Sequence, residues 1–160
     1  MSDIIIRPAT DIDVNSMVSL SYEKRRAYEK HQPQFWRHSP GAEDSQSKWF
    51  NQLLLDDSNI ILVAESADNV VGFVIGSIKS APEVYDPGGP TLIIDDFCVK
   101  TASEWSSIGS KLITELNKLA KNRGIAQILC VCGAHDEPKR QLLKSIGLLI
   151  ASEWYVGGIK

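Results

Sequence analysis

Two apolar runs, "NIILVAES" (59–66) and "VVGFVIGSIKS" (70–80), constrain the fold more than any other feature of the chain. Both are rich in β-branched and aromatic residues, and only "ADN" separates them, which is a hairpin signal. Strands joined this tightly must run antiparallel. "DIIIRP" reads as a short first strand ended by Pro8, which cannot donate to a ladder. "TLIIDDFCV", "AQILCVC" and "LLIASEWYVGG" read as three further strands. Apolar periodicity predicts helices near 13–29, 43–56, 106–123 and 137–146. Ile108, Leu112, Ile113, Leu116, Leu119 and Ala120 trace one face of the third, and Gly124 supplies its stop. "HQPQFWRHSPGAED" reads as a loop. Strands and helices alternate only in part. The fold class expected is therefore mixed α/β (α+β), with a mostly antiparallel central sheet and helices on both faces.

A length of 160 residues suits one domain over 1–160 with a sizeable core. The formal net charge of −3 offers no basic footprint for nucleic acid. No apolar run is long enough to cross a bilayer, and Asp3 before the first apolar run is the wrong order for a secretory signal. Cys98, Cys130 and Cys132 lie in strand-like apolar settings, so reduced, buried thiols and a cytoplasmic location are expected. Cys-x-Cys without nearby partners is a poor metal site, and no metal is expected.

The stretch "IIDDFCVKTASEWSSIGSKLI" is strand, turn and helix. Ser103, Ser106 or Ser107 can cap that helix, leaving backbone N–H groups at its positive end as an anion site without basic side chains. Gly109 permits close approach of backbone or helix. Asp95 and Asp96 within an apolar strand are costly to bury unless hydrogen-bonded. Successive strand side chains face opposite ways, so the two carboxylates should have different roles.

The same stretch resembles the acyl-CoA-binding motif of the GNAT superfamily of N-acyltransferases. In that family a strand ending in valine leads to (Arg/Gln)-x-x-Gly-x-(Gly/Ala) and a helix. Val99 stands for the valine, Glu104 for Arg/Gln, Ser107 for the first glycine and Gly109 for the second, without a gap. "ILCVCGAHDEPKRQLLKSIGL" is similar to a second family segment. There Asp136 stands for an Asn, Lys139 for an Ala, Leu143 for a Tyr, and Gly147-Leu148 for Gly-Phe. The opening "IIIRPATDID" resembles the usual start of these proteins.

The resemblance implies acetyl-CoA as cosubstrate, with its pantetheine arm along Phe97, Cys98 and Val99. Its pyrophosphate would lie on the backbone amides of Trp105, Ser106, Ser107, Ile108, Gly109 and Ser110, near Glu104, with Asp136 also in the cofactor site. It implies Asp95 as the acceptor of the amine proton, directly or through water, and a small-molecule or peptide amine as the acetyl acceptor. A homodimer is permitted by the apolar last strand. Phe35, Trp36 and Arg37 either line the acceptor pocket or fasten their loop to the core.

Three departures from the pattern carry consequences. Glu104 places a carboxylate near phosphate, a repulsion of about 1 kcal/mol or less at an exposed site. Ser107 adds a Cβ. Leu143 removes the tyrosine that in many relatives protonates the departing thiolate, leaving Tyr155 or water. The expected function is acetyl transfer to a primary amine by direct attack in a ternary complex. The alternative is a catalytically inactive domain that binds CoA or a protein partner.

Overall fold

The computed structural model describes residues 3–160. Five strands form one sheet in the order β1-β2-β3-β4-β5: Ile5–Pro8, Asn59–Ser66, Asn69–Lys79, Thr91–Val99 and Gln127–Cys130. The first three pairings are antiparallel, and β4 with β5 is parallel. The helices are α1 (Val14–His31), the single turn α2 (Pro33–Trp36), α3 (Ala42–Leu54), α4 (Ser110–Asn122) and α5 (Glu137–Ser145). The mixed, mostly antiparallel sheet matches the sequence expectation.

The hairpin closes through Ala67 and Asp68, both with positive φ (47° and 61°), and the Asn69 amide donates to Ala67 O. Two left-handed residues give the turn a twist that suits the strands it joins. Each face of the sheet then buries a different stripe. Leu62, Val74, Leu92, Ile94 and Phe97 pack under Ile108, Leu112, Ile113 and Leu116 of α4 and its lead-in. Ile61, Val63, Phe73 and Cys98 pack against Val14 and Met17 of α1 and Phe50 of α3. Helices therefore cover both faces, and each large apolar side chain so buried stabilises by roughly 1.5–3 kcal/mol.

A buried charge fixes the start of α1. Asp13 accepts both guanidinium nitrogens of Arg7 at 2.8 and 2.9 Å and the Thr10 N–H at 2.8 Å, while Arg7 also grips Glu65 at 2.6 Å. The cluster ties β1, β2 and the α1 N-terminus together.

One expectation fails. "LLIASEWYVGG" forms no strand: residues 148–160 have no regular structure, and Leu149, Trp154 and Tyr155 are exposed. An apolar run becomes a strand only if a sheet edge receives it, and among the described residues β5 receives no partner beyond β4. "AQILCVC" also shortens to Gln127–Cys130.

The Arg7 bonds hold the Asp13 carboxyl below the usual carboxylate range, and they outweigh the opposing effect of burial. That stability is present above the unfolded carboxyl pKa, near 4, and is lost as pH falls through the lower folded value. Asp13→Ala should lower stability by about 3 kcal/mol at pH 7, since it leaves Arg7 and Thr10 short of a partner. The loss should shrink below pH 4, and urea unfolding at the two pH values checks both statements.

Candidate active site

The site is built on an irregularity in β4. Val74 of β3 pairs with Phe97 and Gly76 with Ile94, so one β3 residue faces two on β4, Asp95 and Asp96. This is a bulge, and it resets the side-chain alternation. Ile94 and Phe97, three apart, both enter the core under α4. Strict alternation across Asp95 and Asp96 therefore does not hold, although their surroundings do differ. Asp96 meets Ser21 Oγ at 3.3 Å, Lys24 Nζ at 3.4 Å and Arg25 at 3.7 Å, all on α1. Asp95 is exposed, and its carboxylate has no hydrogen-bond or ion-pair partner among the described residues.

At the same place β5 leaves the sheet. Its pairing with β4 runs from Thr91 to Ile94, and the last link is Val131 N–H to Ile94 O at 2.9 Å. The chain then bends towards α1, where Gly133 N–H donates to the Tyr28 hydroxyl at 3.3 Å. Asp95 to Val99 thus keep β3 on one side and have no strand on the other. Phe97 and Cys98 bury their side chains on opposite faces, and Val99 is half-buried, so what this stretch offers a ligand is backbone.

The lead-in to α4 differs from the expected cap. None of Ser103, Ser106 and Ser107 caps the helix. Thr101 does so, through a capping box in which the Glu104 carboxylate accepts the Thr101 N–H at 2.7 Å and its hydroxyl at 2.9 Å. Ala102–Glu104 is a 3-10 turn, Trp105–Gly109 a π-helical turn, and α4 follows without a break. The winding begins earlier because Glu104 accepts both the Thr101 N–H and its hydroxyl, while the Glu104 N–H donates to Thr101 O at 3.0 Å. Glu104 is thereby turned back onto its own turn. Ser106 and Ser107 are exposed, Ser110 is half-buried, and Ile108 and Trp105 belong to the core. The Trp105 ring meets Phe97 edge-on, with centroids 4.8 Å apart. Gly109 has ordinary helical φ (−58°), so it is needed for approach rather than for conformation. A Cβ there would lie 2.7 Å from the Trp105 ring and 2.9 Å from Leu142.

Across the gap lies an aromatic and acidic group. Tyr28 donates its hydroxyl to Asp136 Oδ2 at 2.7 Å, and Asp136 Oδ1 accepts the Lys139 N–H at the start of α5. Burial and the bond to Asp136 hold the Tyr28 proton firmly, raising its pKa. His135 stacks on His31 at 3.8 Å, and Trp36 packs on Tyr28 at 5.1 Å. Trp36 thus ties its loop to buried Tyr28, whereas Phe35 is exposed and lies between Trp36 and Trp154 of the tail. Burial pushes up the thiols of Cys98, Cys130 and Cys132, the last to about 11, which keeps them protonated and poor nucleophiles at neutral pH. Leu143 is buried. Tyr155 lies in the irregular tail with its hydroxyl on Glu153, so nothing brings it to β4.

Tyr28 has no part in this region on sequence reading, and Lys139 enters there only as the residue at the family segment's Ala position, with no role. Tyr28 continues the buried stripe of α1 that begins at Val14. Lys139 stands three and four positions before Leu142 and Leu143, on the buried side of α5. Its ammonium lies between the parted strands, donating to Val131 O at 3.0 Å and Phe97 O at 3.4 Å. A lysine in an apolar helical register was the available signal.

Residues 22–148 match the family model described as acetyltransferase (GNAT) family. Several solved structures share the fold over nearly the whole chain. A predicted acetyltransferase from Clostridium acetobutylicum, solved with acetyl-CoA, aligns at 19% identity and TM-score 0.75, covering 98% of this chain and 96% of its own. A ribosomal-protein-alanine N-acetyltransferase from Brucella melitensis biovar Abortus 2308 aligns at 20% identity and TM-score 0.66, covering 98% and 100%. An aminoglycoside N-acetyltransferase in complex with CoA aligns at 14% identity and TM-score 0.72, covering 100% and 96%. No curated protein matches the sequence. The chain belongs to the acetyltransferase (GNAT) family, a family of acetyl-CoA-dependent N-acetyltransferases.

Gly109→Ala tests the packing that seats α4 here. In a free helix the change would stabilise by about 1 kcal/mol. Overpacking against Trp105 and Leu142 costs about 1–3 kcal/mol and should reverse the sign. Urea unfolding should give a lower midpoint with an unchanged slope.

Proposed function

We propose that this chain, as a single domain over 1–160, transfers an acetyl group from acetyl-CoA to a primary amine by direct attack in a ternary complex. The observation that carries this reading is the open edge of β4 past Ile94, with the unpartnered Asp95 at its head and the wound turn of Thr101–Gly109 at its foot. An extended ligand with amide groups can add to such an edge as a strand would. Phe97, Cys98 and Val99 would hold the arm of the cosubstrate through their backbone. The segment from Trp105 to Ser110 would face its phosphates, with backbone N–H groups and the exposed hydroxyls of Ser106 and Ser107 as donors. Asp136 would act on the cofactor side through the Tyr28 and α5 bonds that fix its loop. Because Glu104 is engaged with Thr101, its repulsion of phosphate is weaker than a free carboxylate's would be.

Acetyl-CoA supplies the acetyl group as a thioester, which an amine can attack. The amine must be neutral to attack; as the C–N bond forms and the thioester C–S bond breaks, Asp95 accepts the amine proton, directly or through a water, and CoA leaves as a thiolate that takes its proton from water. Asp96 plays a different part, because three α1 side chains hold it and it fixes that helix against the bulge. The acceptor is a small-molecule or peptide amine, approaching past Tyr28, His31 and the loop that carries Phe35, Trp36 and Arg37. Among the described residues no helix is long and apolar enough to cross a membrane, which is compatible with a cytoplasmic location. The exposed apolar side chains of the tail, Leu149, Ile150 and Trp154 among them, would support a homodimer.

A second reading, binding of CoA or a protein partner without turnover, is favoured by one observation. Leu143 is buried at the position of the resembled family's tyrosine, and Tyr155 stays in the tail with its hydroxyl on Glu153.

Calorimetric titration with acetyl-CoA should show micromolar binding, and product should form with members of an amine panel. Asp95→Asn should lower kcat by about a hundredfold while leaving the acetyl-CoA Kd unchanged. Binding without product from any amine would move the assignment to the second reading, and absence of binding would remove both. Glu104→Gln should change the Kd by less than about tenfold, in keeping with roughly 1 kcal/mol of screened repulsion.

A further inference from the structure

Among the described residues, Lys139 is the charge that the fold buries without an opposing one. It is 1% exposed, and no carboxylate lies within ion-pair distance of its ammonium. Its side chain runs from α5 into the gap where β4 and β5 part. The ammonium donates to Val131 O at 3.0 Å and Phe97 O at 3.4 Å, with the Phe97 and Trp105 rings 5.4 and 5.5 Å away. These carbonyls belong to the two strand edges that lost each other as partners. Lys139 therefore satisfies part of the open edge, and it does so from the end of a flexible four-carbon stem.

The hold is soft. One carbonyl is at good distance and the other is long, the rings add a modest cation–π attraction, and no charge is neutralised. An ammonium is strongly hydrated and sits on a flexible stem, so moving outward restores hydration that burial removed.

We infer that Lys139 is a displaceable occupant of the β4–β5 gap, closing it until an amide-bearing chain, the pantetheine arm of CoA, takes its place on the β4 edge. The inference rests on the acetyl-CoA reading above. It makes CoA affinity the difference between what the arm gains on β4 and what Lys139 gives up. An alanine here, the residue the resembled segment carries, would leave the gap open. A methionine would keep the stem but lose the hydrogen bonds and charge.

The test titrates wild type, Lys139→Ala and Lys139→Met with CoA by calorimetry, after melting curves confirm that each is folded. In parallel, wild type is pulse-labelled with acetic anhydride with and without saturating CoA, and acetylation of Lys139 and of Lys144 is read by peptide mass spectrometry. Lys139→Ala should tighten CoA binding by about tenfold or more, and Lys139→Met by less. Lys139 should be protected in the free protein and become reactive with CoA, while Lys144 stays unchanged. Binding by Lys139→Ala alone would also support the inference. If wild type binds CoA and the variants bind equally or more weakly, or if Lys139 stays protected in the complex, Lys139 is a fixed brace and the inference falls while the acetyl-CoA reading stands. If neither wild type nor either variant binds CoA, that reading falls and the inference with it. The labelling arm needs no substitution, so it decides the matter even if a variant fails to fold.

Discussion

β4 can pair with only one neighbour along its second half, and most of what is particular to this molecule follows from that. A strand edge in a protein interior carries polar backbone groups that must find partners. Where β5 stays, it supplies them. Past Ile94 it leaves, and α5 supplies a lysine instead, while the bulge at Asp95–Asp96 turns two carboxylates away from the α4 core. The same departure lets Trp105 pack on Phe97 and brings Leu142 over Gly109, so the foot of the site is part of the core that seats α4.

The two carboxylates of β4 show how little residue type decides by itself. Asp96 is enclosed by Ser21, Lys24 and Arg25, so its charge is matched and its geometry fixed. Asp95 faces solvent beside an open edge and has no such partners among the described residues. Glu104 makes the same point for electrostatics. As a letter in a motif it is a negative charge beside phosphate, whereas in the fold it is the second half of a capping box on Thr101. Local hydrogen bonding of about 1 kcal/mol is enough to redirect a side chain whose long-range repulsion is no larger.

Membership in the acetyltransferase family and the details of this chain pull in different directions at the α5 positions. Lys139 and Leu143 stand on the buried side of one helix, and between them they fill the gap and remove a hydroxyl. Both changes concern side chains, and the backbone frame around them is intact. That is why the fold is shared at 14–20% identity with acetyltransferases whose residues differ.

Periodicity in the sequence determined the elements. The two runs around "ADN" dictated an antiparallel hairpin, and the stripe from Ile108 to Ala120 dictated the buried face of α4, because both patterns are local and repeat at the spacing of the backbone. The frame of residues from Val99 to Gly109, and again from Asp136 to Leu148, pointed to the region of the proposed site. Pairing decided the rest. "LLIASEWYVGG" has strand composition and no edge to join, β4 carries a bulge that composition does not announce, and Thr101 rather than a serine caps the turn. Lys139 needed the structure most. A lysine among leucines looks like a surface residue until β4 and β5, strands separated in the chain by the whole of α4, pair and then part to create the gap that it enters. Contacts between segments distant in sequence cannot be read from either segment alone, and in this protein the candidate site is made of such contacts.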